Sequence, residues 1–181
     1  IRISDEVEYL KRFFEIFIDA INKKNHNETG NLYLENKMLH AFDTFYHSVP
    51  FVKFGHDAAN SFINAYTIHE PEITIIDIGF GSGLQWKGFF EKNPKKINLI
   101  AIDLPTENNL KKSEEFLQNL KQPNVNFTSI LKKVEELDFL NLPLNSSFLV
   151  INASFSLHHI LPDELDSRSG RQKLLREISK L

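Results

Sequence analysis

The feature that most limits how this chain can fold is a short β-branched run that ends in a cluster of glycines. Ile73-Thr-Ile-Ile-Asp-Ile78 leads directly into Gly79-Phe-Gly81-Ser-Gly83. A short apolar run without alternation reads as a strand buried on both faces, as strands of a parallel sheet are. The glycines let the chain turn sharply after that strand and leave no Cβ between the backbone and a ligand. Leu84 to Phe90 then has the pattern of a helix start, whose free N–H groups favour an anionic or polar ligand group. Ile97-Asn-Leu-Ile-Ala-Ile-Asp103 is a second buried run, and it ends in an acid.

The remaining elements extend the same scheme. Val125 to Leu131 and Phe148-Leu-Val-Ile-Asn152 read as a third and a fourth strand. Thr106 caps a helix running to about Gln122, where Pro123 stops it. A helix is expected around Pro162 to Asp166, and a last one begins near Arg171 and is still running at Leu181. Three helices precede residue 70. The first opens on the capping-box spacing of Asp5 and Glu8 and carries Val7, Leu10, Phe13, Phe14, Phe17, Ile18 and Ile21 at helical period. After a polar break from Asn25 to Gly30, the second runs from Leu34 to Tyr46 and is ended by Pro50. The third spans Phe51 to Tyr66, with Phe54, Ala58, Phe62 and Tyr66 on one face, read as core or lid. Strands alternating with helices predict a parallel sheet with right-handed crossovers. The expected organisation is an N-terminal helical cap over residues 1–68 and an α/β domain over 69–181. An uncovered fourth strand and an unfinished last helix predict a domain truncated after its fourth strand.

Composition removes several function classes. With 21 Lys and Arg against 24 Asp and Glu, the formal charge is −3. Lys111, Lys112, Lys121, Lys132 and Lys133 lack interleaved aromatics and read as a solvated face, so no nucleic-acid partner is expected. The absence of cysteine rules out disulfides, thiolate metal sites and cysteine nucleophiles. His56, Asp57 and Asn60 share a helical turn, but no second histidine stands at ligand spacing, so no metal is expected. His158 and His159 are adjacent and so point apart, and packing or capping is their expected role. No apolar run reaches the roughly 20 residues that span a bilayer, so no membrane is expected and a cytoplasmic location is.

The glycine spacing narrows the ligand. Position 84 is Leu, so Gly-x-Gly-x-x-Gly, the dinucleotide pattern, fails. Asp77-x-Gly79-x-Gly81-x-Gly83 instead resembles the first motif of class I methyltransferases that use S-adenosylmethionine (SAM). That resemblance implies that the three glycines shape the loop and that Asp77 orders the methionine end. Asp103, with Leu104 beside it, ends the next strand, where an acid accepts both ribose hydroxyls of a nucleoside. Phe148 to His159 resembles the fourth-strand region of the same enzymes, with Asn152 lining the floor of the site. Lys133 stands where those enzymes place an Asp against adenine, which leaves that contact to Glu135 or Glu136. Phe80 or Phe155 is available to face the sulfonium.

Several longer segments resemble the GRAS family. Pro50 to Asn60 with Ser61-Phe-Ile63 is similar to that family's helix before the first strand. Thr74 to Gly79 and Gly83-Leu-Gln-Trp86 are similar to its strand signature. Ile151 to His158, Ile160 to Asp163 and Leu174 to Ile178 match its next block. The resemblance runs from about Val7 to Leu181. It implies a split expectation, because plant members are mostly transcriptional regulators that lost part of the glycine pattern, whereas bacterial members keep it and methylate small molecules. All three glycines are present, so the expectation is a bacterial-type member with a Rossmann-like, doubly wound parallel sheet. It would bind SAM and pass the methyl group to an O or N of a small-molecule acceptor; the sequence identifies no catalytic residue. The alternative is a non-catalytic regulatory or interaction domain that binds a small ligand or protein partners, its N-terminal helical segment being the partner surface.

Overall fold

The two buried runs that flank the glycine cluster pair with each other and with the other two predicted strands. The computed structural model describes residues 46–146, 148–157, 160 and 169–181, together with Glu15 and Ile18. Outside the described residues lie the rest of the first predicted helix, the second up to residue 45, His158, His159 and the helix expected around Pro162 to Asp166. The chain divides into two compact units, Ile1–Leu32 and Tyr33–Leu181, and the sheet belongs to the second.

Strands β1 (Glu72–Ile78), β2 (Lys96–Asp103), β3 (Val125–Leu131) and β4 (Leu149–Asn152) form one parallel sheet in the order β3-β2-β1-β4. Ile73 to Ile78 and Ile97 to Ile102 are buried throughout, which is why neither run alternates. One face of β1 and β2 presents Ile73, Ile75, Leu99 and Ala101 to a cluster with Trp86, Phe89 and Phe90. The other presents Ile76, Ile78, Ile100 and Ile102 to Phe139, Ile160 and Leu174. Each such side chain contributes about 1.5–3 kcal/mol by leaving water.

From β1 the order grows through β2 to β3, and then β4 returns to the opposite side of β1. Open α/β sheets bind ligands at such a reversal, beyond the carboxyl ends of the strands. Here those ends carry Asp77 and Asn152, which are paired across β1 and β4. This architecture agrees with the expected α/β, Rossmann-like sheet.

Helix α1 (Pro50–Tyr66) starts on the proline expected to end the preceding helix, one residue before the expected Phe51. At the first helical position Pro loses nothing, because its missing N–H would have no intrahelical partner there. The side of α1 that packs inward carries Val52 and His56. The stripe expected to be core or lid is turned out instead, with Phe54 73%, Phe62 65% and Tyr66 77% exposed. Helix α2 (Glu107–Asn119) is capped as expected, the Thr106 hydroxyl accepting from the Asn109 N–H at 3.2 Å. Helix α3 (Ser169–Ile178) stands where the last helix was expected, near Arg171, but stops at Ile178 rather than continuing to Leu181.

The larger correction is after the glycines, where no α-helix follows. Leu84 to Phe89 forms successive turns, and only Phe90–Lys92 is a short 3-10 helix. Length explains it. The chain must return alongside β1, whose seven residues span about 23 Å. The ten residues from Leu84 to Asn93 would cover only about 15 Å as an α-helix, but about 20 Å with the tighter three-residue turns. The bonds from Trp86 N to Gly83 O and from Phe89 N to Trp86 O have this three-residue spacing. Among the described residues no helix is long and apolar enough to cross a membrane.

Candidate functional site

The three glycines of the loop do three different things. All adopt left-handed conformations, with φ of 80° at Gly79, 58° at Gly81 and 69° at Gly83. A Cβ on Gly79 would stand 2.5 Å from Ser156 Cβ, and one on Gly83 would stand 2.7 Å from the rings of Phe80 and Phe116. At Gly81 nothing lies within 4 Å of that position. Gly79 and Gly83 are therefore needed for close packing of the protein on itself, and Gly81 alone leaves open space.

Asp103 fastens this loop. Its Oδ2 accepts the Gly81 N–H at 2.6 Å, and its Oδ1 accepts the Leu104 N–H at 2.8 Å and Asn109 Nδ2 at 2.9 Å. Burial pushes its carboxyl up, and the N–H groups of Gly81 and Leu104 pull it back down. Asn109, which the sequence reading passed over, is buried and also donates to the Leu104 carbonyl at 3.0 Å. Asp103→Ala strands the Gly81 and Leu104 N–H groups, takes one of two acceptors from Asn109 Nδ2, and is expected to lower stability by about 1–3 kcal/mol. Urea unfolding checks this; an unchanged midpoint would mean that the loop does not depend on this carboxylate.

Asp77 faces inward. Its Oδ2 accepts Trp86 Nε1 at 2.6 Å and its Oδ1 accepts Asn152 Nδ2 at 2.6 Å. Asn152 and Gln85 exchange amide hydrogen bonds in both directions, each at 3.1 Å. Gln85 Nε2 also reaches Asn60 Oδ1 at 3.1 Å, and Asn60 Nδ2 returns to the Gln85 carbonyl at 2.8 Å. Ser154 Oγ completes the set by donating to Asn152 Oδ1 at 3.0 Å. One polar network thus joins α1, the turns after the loop, β1 and the end of β4. Desolvation raises the Asp77 pKa to about 6. Trp86 and Gln85 carried a signal in the sequence, as the only tryptophan and its neighbour directly after the glycines. Asn60 was marked only as one of three polar groups on a helical turn, and Asn109 and Ser156 carried no signal beyond being polar.

The other nominated residues are not assembled with these. Glu135 and Lys133 are exposed at the short 3-10 turn Val134–Glu136, and no hydrogen bond ties Glu135 to the loop. Phe80 is only 5% exposed and packs against the rings of Phe116 and Phe127, so its ring belongs to the core rather than to a ligand. Phe155 is 42% exposed and sits edge-on to His56. The expected turn of His56, Asp57 and Asn60 is dispersed: His56 is buried, Asp57 pairs with Lys53 at 2.6 Å, and Asn60 holds Gln85. Among the described residues no group of three His, Cys, Asp or Glu side chains could hold a metal ion.

A glycine loop fastened to a strand-end acid at the sheet reversal is common to many folds; the longer pattern around it is not. Residues 8–181 match the GRAS domain family model. The chain belongs to the GRAS domain family. Among its relatives are the protein SCARECROW of Ipomoea nil, 32% identical over 157 residues, covering 82% of this chain and 20% of the relative. The Scarecrow-like transcription factor PAT1 of Arabidopsis thaliana is 27% identical over 160 residues, covering 80% of this chain and 33% of its own. The DELLA protein GAIP of Cucurbita maxima is 26% identical over 137 residues, covering 65% and 23%. The chain thus spans a fifth to a third of the length of these GRAS relatives.

Proposed function

We propose that this chain is a GRAS-type regulatory domain that acts through protein partners, with its glycine loop serving as a joint of the fold. The observation that carries this reading is the occupation of Asp103. The carboxylate that a nucleoside would need for its ribose already accepts three hydrogen bonds, from Gly81 N, Leu104 N and Asn109 Nδ2. No α-helix N-terminus follows the loop to favour a charged ligand group, and Ser156 fills the space beside Gly79. These features support a structural joint over a SAM cradle. The relatives lean the same way, one of them being named a transcription factor. The exposed rings of Phe54, Phe62 and Tyr66 on α1 supply apolar surface of the kind that protein contacts use. Under this reading the chain works at the genome rather than at the cytoplasmic location expected from the sequence.

One observation favours a second reading, a SAM-binding enzyme of the class I methyltransferase type. The space at Gly81 is open, and Asp103 Oδ2 accepts only one of the hydrogen bonds it can take. Calorimetric titration with SAM and S-adenosylhomocysteine separates the two. The regulatory reading expects no binding heat up to about 1 mM ligand, an affinity weaker than about −4 kcal/mol. Micromolar binding that Gly81→Arg abolishes would establish the enzyme reading in its place.

A further inference from the structure

An open α/β sheet offers its ligand site at the sheet reversal, and in this chain Ser156 of the turn after β4 packs there against Gly79. Three unfavourable features meet at that turn. Phe155 has φ 57°, the only left-handed residue other than glycine among those described, and an aromatic side chain makes that conformation costly. Ser156 Oγ is buried without a hydrogen-bond partner among the described residues, and so is His56 Nδ1, on a histidine only 6% exposed. Burial pushes the His56 pKa down and so favours the neutral ring. Strain and unpaired buried polar atoms persist only where the surroundings hold them, and they gather at sites that move or bind.

What holds the turn is equally local. The Phe155 ring lies edge-on to His56 with centroids 5.4 Å apart, and it fits against α1 because residue 55 is glycine. A Cβ there would stand 2.9 Å from Phe155 Cζ. On the other side, Ser156 occupies the position next to Gly79.

We propose that residues 153–157 are a latch, seated at the sheet reversal between the ends of β1 and β4 and held shut by the Phe155 ring against Gly55 and His56. Release of the ring lets the turn leave its left-handed conformation and lifts Ser156 from Gly79. It also gives Ser156 Oγ and His56 Nδ1 access to hydrogen-bonding partners. The latch is a property of the fold and holds whichever reading of the loop is correct. Helix α1 carries both the seat of Phe155 and, on a neighbouring side, the exposed Phe54, Phe62 and Tyr66. A partner that moves α1 therefore has a direct mechanical route to the sheet reversal.

Amide hydrogen exchange on the full chain tests this, because three variants should move the latch in known directions. Gly55→Ala favours the helix, so global stability should hold or rise. Its methyl group displaces the Phe155 ring, however, and exchange at residues 79–83 and 153–157 should accelerate about tenfold. Phe155→Ala should accelerate the same segments. Ser156→Ala removes the unpaired hydroxyl of the closed turn and should slow them, by about tenfold. Strands β2 and β3 should exchange as in the parent protein in all three. The proposal is overturned if Gly55→Ala leaves both segments unchanged, if the acceleration spreads evenly over the sheet, or if Ser156→Ala speeds exchange.

Discussion

Gly79→Val is expected to lose about 2–5 kcal/mol of stability, a large part of the roughly 5–15 kcal/mol that a domain has. Two costs add. A β-branched residue at φ 80° is forced into a conformation that L-residues avoid, at about 1–2 kcal/mol. Its Cβ would also stand 2.5 Å from Ser156 Cβ, so either the turn after β4 or the end of β1 must move, at about 1–3 kcal/mol more. The end of β1 is held in place. The Gly79 N–H is bonded to the Ile102 carbonyl at 2.9 Å, which ties the loop to β2. The informative comparison is Gly81→Ala, which has the same kind of φ but open space around its Cβ. That variant should lose only about 1 kcal/mol, the conformational part alone. Paired urea titrations measure both. Equal losses would show that Ser156 yields at no cost and that crowding does not fix the first glycine.

The same pair shows how far the sequence could be read. Uninterrupted apolar runs at Ile73 and Ile97 located β1 and β2 because strands buried on both faces need no alternation, and the parallel sheet followed from the helices between strands. The glycines were recognised as a loop for the right local reason, their freedom at positive φ. Their separate tasks were not legible. Whether a glycine makes room for a ligand or for Ser156, far away in sequence, depends on tertiary contacts that no local pattern encodes. The helix expected after Gly83 failed on a similar ground. Leu84, Trp86, Phe89 and Phe90 carry a plausible helical pattern, but the distance back along β1 decides the outcome. The acids illustrate it too: Asp77 and Asp103 were recognised as strand-end carboxylates, while the hydrogen bonds they accept from Trp86, Asn152 and Asn109 depend on tertiary contacts.

Stability should rise as pH falls from about 7 toward about 4, opposite to the usual course of acid unfolding. Asp77 is the cause, since burial lifts its pKa from 3.8 to about 6 and nearby Asp103 adds to the rise, against the lowering by Trp86 and Asn152. A carboxyl that binds its proton more tightly when folded stabilises the fold fully below its unfolded pKa, and that contribution is lost as pH rises through about 6. About two units correspond to about 3 kcal/mol, and Asp103, also raised, acts in the same direction. Trp86 reports the event directly, because it is the only tryptophan and its Nε1 donates to the titrating group. Its emission should therefore change with a midpoint near pH 6 while the sheet stays folded. Trp86→Phe leaves the carboxylate with Asn152 as its single donor and should lose about 2–4 kcal/mol at neutral pH, and less once Asp77 is protonated. Asp77→Asn should erase both the fluorescence midpoint and most of the pH dependence, but not without a structural consequence. Its amide would point a donor at Asn152 Nδ2, so Asn152 and Gln85 must turn over together to keep their mutual pair, which breaks the link from Gln85 Nε2 to Asn60. The variant should thus gain stability at neutral pH by less than the full charge term, the difference being the loosened attachment of α1. A stability that stays flat between about pH 4 and 7, with a midpoint unaffected by Asp77→Asn, would place the titration elsewhere and leave Asp77 permanently ionised.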